Sequence, residues 1–339
     1  MNKVIGYVGT GDLAGIREAD AACLDVINIA FGHVADGCVE WKSNDGKEAV
    51  ERIHRINPGI KVLLSVGGWG ADGFSQAART EEGREKMAES AGALVRDFDL
   101  DGIDIDWEYP CMPLAGIEAC PEDRENFTLL LKALREKMDA LGEGKMVTIA
   151  AGGDAYYTKH TEMAEASRYL DYVQLMTYDL QGGFQKVTGH HSALYPGRKN
   201  LFDACTDKAV RIFLEAGVPA EKIVVGIPFY SRKWDGVKGG GSGLGREAET
   251  VGGYGPDYGA LKAAYIDKNG YRRYWDEEAK APYLFNGDTF ISYEDEQSMA
   301  DKISYVKEKG LGGVMYWEYK CDATQTLTEY IRREMDRQR

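Results

Sequence analysis

Three carboxylates spaced by two residues are the feature of this sequence that points most directly to chemistry. Asp104, Asp106 and Glu108 lie within residues 100–110, which read Leu-Asp-Gly-Ile-Asp-Ile-Asp-Trp-Glu-Tyr-Pro. In a β-strand they would share one face, because successive side chains point to opposite sides. Like charges in a confined space raise at least one pKa and favour a shared proton, as a general acid near neutral pH requires. Gly102 and the isoleucines at the alternate positions favour a buried strand over a solvated acidic edge, so we predict a catalytic site.

The elements that must position these carboxylates alternate between strand and helix along the chain. Eight short apolar runs predict strands at residues 4–7, 26–31, 61–66, 102–106, 146–151, 172–176, 223–228 and 313–317. Amphipathic patterns between them predict helices, for example at 81–98, 122–141 and 204–216. This alternation predicts a (β/α)8 TIM barrel in the α/β class, whose active site lies at the C-terminal ends of the strands.

The seventh and eighth predicted strands are too far apart for one helix and two loops. Residues 231–293 are rich in Gly, Tyr and Trp, and we expect them to form a small α+β insertion that makes a cleft wall. The catalytic barrel would then comprise residues 1–230 and 294–339.

Four motifs resemble those of one enzyme family. The acidic segment is similar to the Asp-x-x-Asp-x-Asp-x-Glu signature of glycoside hydrolase family 18, the chitinase family. Residues 65–69 (Ser-Val-Gly-Gly-Trp), 176–179 (Met-Thr-Tyr-Asp) and 313–318 (Gly-Val-Met-Tyr-Trp-Glu) resemble its third-, sixth- and eighth-strand elements, in the family's order. Residues 275–284 are close to the insertion pattern of one chitinase subgroup.

The resemblance implies a mechanism in which the substrate assists its own cleavage. Glu108 would be the general acid and base, while the N-acetyl oxygen of the sugar attacks the anomeric carbon to give an oxazolinium ion. Asp106 would hold the acetamide N–H and stabilise that cation, and Asp104 would share a proton with Asp106. Tyr178 would donate a hydrogen bond to the acetamide oxygen. The anomeric configuration would be retained.

The resemblance also implies a set of residues around the substrate, with Tyr7 and Ser65 as partners of the aspartates. The full set is Tyr7, Ser65, Trp69, Asp179, Tyr230, Arg232 and Trp317. Trp317 would be the apolar floor beneath the reacting sugar. Four members have an ordinary alternative. Asp179 could cap the following loop, and Arg232, beside Lys233, could be solvated surface. Trp69 could merely pack under a loop, and Trp317 could belong to the barrel core.

Composition excludes several classes of function. The chain has 339 residues, 44% of them hydrophobic, and a net charge of −14, which argues against nucleic-acid and anionic-membrane partners. No phosphate-binding glycine motif, Cys-x-x-Cys pair or histidine ligand spacing occurs, so we expect no cofactor and no metal. Cys111 and Cys120 could form a disulfide or remain thiols. No leader is apparent, so we expect a cytoplasmic protein, or an extracellular one if a signal peptide has been removed.

Three functions are compatible with these residues. The favoured one is a chitinase that hydrolyses β-1,4-linked N-acetylglucosamine polymers and oligomers, acting as a monomer. The second is an endo-β-N-acetylglucosaminidase that cleaves the chitobiose core of N-glycans, which the insertion argues against. The third is a non-catalytic chitin-binding lectin, but lectins of this kind typically lack the glutamate that is present here as Glu108.

Overall fold

The computed structural model describes residues 2–337 of the chain, which contain fourteen strands. In chain order they are β1 (Lys3–Gly9), β2 (Val26–Ala35), β3 (Cys38–Glu40), β4 (Lys61–Gly67), β5 (Gly102–Asp106), β6 (Met146–Gly152), β7 (Tyr172–Met176), β8 (Ile223–Pro228), β9 (Arg232–Trp234), β10 (Gly253–Tyr254), β11 (Arg272–Asp276), β12 (Ala281–Phe285), β13 (Phe290–Ser292) and β14 (Gly313–Trp317).

Eight of these strands form a closed parallel barrel. Strands β1, β2, β4, β5, β6, β7, β8 and β14 pair in parallel with their neighbours, and β1 pairs with both β2 and β14, which closes the sheet. The predicted (β/α)8 barrel with an insertion between its last two strands is therefore confirmed.

Helices surround the barrel and supply the outer half of its core. They are α1 (Glu18–Cys23), α2 (Gly46–Ile56), α3 (Phe74–Ala78), α4 (Glu81–Asp97), α5 (Asp123–Leu141), α6 (Ala155–Lys159), α7 (Met163–Ala166), α8 (Thr206–Glu215), α9 (Tyr258–Ala260), α10 (Glu296–Lys309) and α11 (Leu327–Asp336). Outward-facing strand residues such as Ile103 and Ile105 are fully buried against the helices. This burial fixes the register of each strand, because a one-residue slip would turn its apolar side chains to the wrong face.

The barrel interior is a smaller apolar cluster that contains several polar side chains. Ile5, Leu63, Val224 and Met315 belong to this cluster. Asn28, Asp104, Thr148 and Gln174 are also buried, at 0–1% exposure, and hydrogen bonds connect all four. Buried polar groups are costly unless they are hydrogen-bonded, so a polar network here indicates a purpose other than stability.

The insertion contains a five-stranded antiparallel sheet with the order β10-β9-β13-β12-β11. Trp234, Tyr283 and Phe290 form its apolar core. A buried ion pair ties the segment after β13 to the barrel, because Lys302 on α10 lies 2.6 Å from Glu294 and also donates to Ser192. The division of the chain into two domains at residues 231 and 293 stays a prediction.

One strand extends beyond its predicted end. β2 continues to Ala35 and turns back into β3, with which it pairs antiparallel. The apolar run predicts a strand that ends at residue 31, since Gly32 and His33 interrupt the run.

Cys111 and Cys120 are free thiols. None of the helices within residues 2–337 combines the length and the apolar character needed to cross a lipid bilayer.

Candidate active site

The three spaced carboxylates lie at increasing height along and beyond β5. Asp104 is fully buried in the barrel, Asp106 ends the strand at 4% exposure, and Glu108 stands two residues further out. Trp107 points the other way and is stacked on Phe74 at 5.3 Å between ring centroids. Packing of this tryptophan outside the barrel fixes the alternation that turns Asp106 and Glu108 inward.

Asp104 lies at the centre of a converging hydrogen-bond network. Its Oδ2 accepts from the hydroxyls of Tyr7 (2.8 Å) and Ser65 (2.7 Å). Its Oδ1 accepts from Thr148 Oγ1 (2.6 Å) and Gln174 Nε2 (2.9 Å). Burial raises the pKa of Asp104, although all four hydrogen bonds oppose that rise because they favour the ionised form. The other barrel strands therefore hold Asp104 in one position.

Asp106 and Glu108 have no such set of donors. Burial raises the pKa of Asp106 well above its ordinary value, and the charges of Glu108 and Asp104 raise it further. Asp106 Oδ1 has no hydrogen-bond partner among the described residues. Burial also raises the pKa of Glu108 to about 7, with a further contribution from the charge of Asp179. A carboxyl group that is protonated near neutral pH can act as a general acid.

A cavity of about 550 Å³ opens above these carboxylates at the C-terminal end of the barrel. Trp317 lines it from the end of β14 and packs against Tyr7 and Phe31, at 5.5 and 5.4 Å between ring centroids. Aromatic faces surrounding paired carboxyl groups suit a ligand with apolar faces and a polar edge, such as a pyranose.

Tyr178 follows β7 and lines the same cavity. Its position depends on Gly226 in β8, where a Cβ atom would lie 2.9 Å from the Tyr178 ring and 2.4 Å from the carbonyl oxygen of Leu175. Burial and the nearby charges of Asp106 and Glu108 raise the Tyr178 pKa well above its ordinary value, so the phenol stays a hydrogen-bond donor.

Asp179 and Arg232 form an ion pair on the cavity wall. The guanidinium donates two hydrogen bonds of 2.6 Å to the carboxylate and lies 4.0 Å from the ring centroid of Tyr254, which is 73% exposed. Burial disfavours ionisation of Asp179, but the nearby imidazole of His191, whose Nδ1 lies 3.6 Å from the carboxylate, and the two hydrogen bonds from Arg232 outweigh it and lower the Asp179 pKa below its usual range. The side chain of Arg232 is buried and paired, in contrast to the solvated alternative.

The structure brings most of the predicted residues to one cavity. Those that line it are Tyr7, Trp69, Asp106, Glu108, Tyr178, Asp179, Tyr230, Arg232 and Trp317. Trp69 is 57% exposed and lies at the rim. Asp104 and Ser65 are fully buried and do not line the cavity. Ser65 therefore contacts Asp104 instead of reaching the cavity.

Sequence reasoning missed four residues that belong to this site. Thr148 and Gln174 hold Asp104, and Phe31 and Tyr254 line the cavity. A polar residue at an inward position of an otherwise apolar strand could have identified the first two. Phe31 and Tyr254 carry no comparable signal, because exposed and buried aromatic residues are alike in sequence.

A (β/α)8 barrel whose cavity combines carboxyl groups with aromatic walls defines a class of carbohydrate-cleaving enzymes. Comparison with known proteins specifies the family, because residues 3–322 match the model of glycosyl hydrolases family 18. The chain belongs to this family, and the predicted membership is confirmed. No group of three or more His, Cys, Asp or Glu side chains within residues 2–337 is arranged to hold a metal ion.

Individual relatives carry names related to chitin. The chain is 40% identical to Chitinase A1 of Niallia circulans over 307 residues, covering 84% of this chain and 44% of that protein. It is 30% identical to Chitinase B of Serratia marcescens, covering 91% of this chain and 75% of that protein. The chain spans less than two thirds of several curated relatives that it matches, including 63% of Endochitinase 1 of Metarhizium robertsii.

A solved structure matches along the whole chain. It is described as a novel glycoside hydrolase family 18 N-acetylglucosaminidase from Paenibacillus barengoltzii. Sequence identity is 51%, the TM-score is 0.96, and the match covers 98% of this chain and 100% of that chain.

Proposed function

We propose that this protein hydrolyses β-1,4-linked N-acetylglucosamine oligomers and polymers with retention of configuration, using the substrate's acetamide as the nucleophile. Membership of glycosyl hydrolase family 18 and the chitinase names of its relatives support the reaction class. The cavity above Asp106 and Glu108 supports the proposed location of the active site.

The state of Asp106 is the observation that favours substrate assistance over a protein nucleophile. Its carboxyl group is almost fully buried, one oxygen lacks a hydrogen-bond partner among the described residues, and its pKa is raised. A carboxyl group whose ionised form is disfavoured is a poor nucleophile, although it retains an oxygen that can accept a hydrogen bond. It suits the role of holding an acetamide N–H beneath the anomeric carbon.

The remaining roles are those that the family resemblance implies, and position in the cavity supports them. Glu108, with a pKa of about 7, would protonate the leaving oxygen and then deprotonate the attacking water. Tyr178 would donate to the acetamide oxygen, and Trp317 would lie under the apolar face of the reacting sugar. The Asp104 and Asp106 pair, holding one proton, would keep one negative charge below the developing cation.

A product assay tests this proposal. The protein would be incubated with N-acetylglucosamine oligomers of two to six sugars, with the same oligomers after complete deacetylation, and with a high-mannose glycopeptide. We expect products from the acetylated oligomers alone. Cleavage of deacetylated oligomers would contradict substrate assistance. Cleavage of the glycopeptide in place of the oligomers would instead support the N-glycan enzyme, and binding without any cleavage would support a lectin.

The match to a structure described as an N-acetylglucosaminidase favours a second candidate, namely removal of single sugars from chain ends. Product sizes at early times distinguish the two modes. A hexamer that yields monomer and pentamer indicates removal from an end, whereas dimers, trimers and tetramers indicate cleavage within the chain.

A further inference from the structure

We propose that Gln174, oriented by Asn28, is a positioning residue that keeps Asp104 ionised and so assigns the single proton of the Asp104–Asp106 pair to Asp106. This inference rests on the proposed function for its effect on catalysis. The arrangement itself can be tested without a substrate.

The orientation of Gln174 follows from its two hydrogen bonds. Its Nε2 donates to Asp104 Oδ1 at 2.9 Å, and its Oε1 accepts from Asn28 Nδ2 at 2.8 Å. An ionised carboxylate can only accept, so Gln174 must turn its amino group towards Asp104. Asn28 must then turn its own amino group towards Gln174. Both amides are fully buried, which makes the reversed arrangement costly.

The orientation of Asn28 supports that of Gln174. Asn28 Oδ1 is buried and has no hydrogen-bond partner among the described residues. A flipped Asn28 would place its oxygen against the oxygen of Gln174 and lose the 2.8 Å hydrogen bond. The hydrogen bond from Asn28 Nδ2 therefore favours the orientation in which the amino group of Gln174 faces Asp104.

The four donors around Asp104 leave little room for a proton there. Thr148 and Gln174 occupy Oδ1, while Tyr7 and Ser65 occupy Oδ2. A proton on Asp104 would require one of the hydroxyls to turn round and accept it, or would displace the amino group of Gln174, which cannot accept and would be left buried and unpaired. Asp106 Oδ1, by contrast, has no hydrogen-bond partner within residues 2–337. The proton is therefore less costly on Asp106.

The other groups that face the pair do not change this balance. In addition to burial, the negative charge of Glu108 raises the pKa of Asp106 and so also favours a proton on Asp106. The phenols of Tyr7, Tyr157 and Tyr178 are kept neutral, because burial and the carboxylates raise the pKa of each. Val224 of β8 and Met315 of β14 are apolar. Control of the proton therefore depends on the polar donors, of which Gln174 is the one fixed by a second buried amide.

Loss of the Gln174 donor would move the proton in a defined direction. Hydrogen bonds to the ionised form of a carboxyl group lower its pKa, so their loss raises the pKa of Asp104. The proton would then shift towards Asp104 and leave Asp106 ionised beside Glu108. The added like charge raises the pKa of Glu108, and both limbs of the pH profile of kcat/KM should move to higher pH.

This inference can be tested with two substitutions and a matched control. Gln174→Met removes the donor and keeps the length of the side chain, and Thr148→Val removes the second donor to the same oxygen. Thr128→Val makes the same change at a buried threonine on α5 whose hydroxyl has no hydrogen-bond partner among the described residues. If Gln174→Met fails to fold, the pair of threonine variants still provides the comparison.

We expect both limbs of the profile to shift by about half a pH unit or more to higher pH in Gln174→Met and Thr148→Val, and to stay in place in Thr128→Val. A fall in kcat with unmoved limbs would show a merely structural role and overturn the inference.

Carbon-13 NMR titration of aspartate carboxyl groups gives a reading that needs no turnover, with Asp104→Asn and Asp106→Asn used to assign the two signals. A raised Asp104 pKa in Gln174→Met would support the inference even if the proposed substrate is wrong. An unchanged value would overturn it.

Discussion

The guanidinium of Arg232 donates two parallel hydrogen bonds of 2.6 Å to the carboxylate of Asp179, the residue that follows Tyr178. This geometry keeps Asp179 ionised on the cavity wall, where its negative charge raises the pKa of Glu108. Asp179, which follows β7, thus raises the proton affinity of Glu108, which follows β5, and Arg232 at the start of β9 holds the charge of Asp179 in place.

Asp179→Asn should lower the pKa of Glu108 and shift the alkaline limb of the kcat/KM profile to lower pH. The variant removes a negative charge near Glu108 and leaves the positive charge of Arg232 without its partner, and both changes favour the ionised form of Glu108. The measurement is the pH dependence of oligosaccharide hydrolysis. Asp97→Asn, which removes an exposed carboxylate on α4, serves as the control. An alkaline limb that stays in place would contradict coupling between Asp179 and Glu108.

Glu108→Gln should reduce turnover by about a hundredfold or more while oligosaccharide binding is nearly unchanged. The amide cannot donate a proton to the leaving oxygen, and that interaction belongs to the transition state alone. Turnover and the dissociation constant of an oligomer would be measured on the same preparation. Activity above about a tenth of the original would rule out Glu108 as the general acid.

The same substitution should stabilise the protein at alkaline pH. The pKa of Glu108 rises from 4.5 to about 7 on folding, so the folded state binds more protons between these values. Protonated Glu108 therefore stabilises the folded state at low pH. This contribution to the free energy of unfolding is lost as pH rises from about 4.5 through 7, and it amounts to roughly 3 kcal/mol. Urea unfolding at pH 4 and pH 8 should show no difference at pH 4 and a more stable Gln variant at pH 8. Equal stability at both pH values would contradict the raised pKa.

Asp106→Ala and Tyr178→Phe should each reduce kcat strongly, and the double variant should lose less than the sum of the two free-energy costs. Both residues are proposed to stabilise the same cyclic intermediate. Removal of the first therefore reduces the stabilisation that the second can provide. The measurement is kcat for the unsubstituted protein, the two single variants and the double variant, which together form a double-mutant cycle. Costs that simply add would indicate independent roles.

The barrel was predictable because its signals are local and repeated. All eight barrel strands occur within a few residues of their predicted positions, since each is a short apolar run between helical patterns. The acidic segment predicted its own strand and face correctly, because residues spaced by two share one side of a strand. Glu108, Asp106 and Trp317 do line one cavity.

Contacts across the barrel were not predictable in the same way. Gln174 reaches Asp104 across a separation of 70 residues, and Arg232 reaches Asp179 across 53. Nothing local in the sequence distinguishes a glutamine that holds a carboxylate from one that faces solvent. Arg232, after the seventh barrel strand, was also compatible with solvated surface, yet it is 8% exposed and lies between Asp179 and Tyr254.

Affinity for a thiazoline analogue of the cyclised acetamide tests the central claim most directly. The ring of this analogue imitates the oxazolinium ion that Asp106 and Tyr178 are proposed to stabilise, so calorimetric titration should give binding at least about a hundredfold tighter than that of the product disaccharide. Asp106→Ala should remove most of this advantage. Thiazoline binding no tighter than that of the disaccharide, in a protein that hydrolyses the oligomers, would contradict substrate-assisted catalysis.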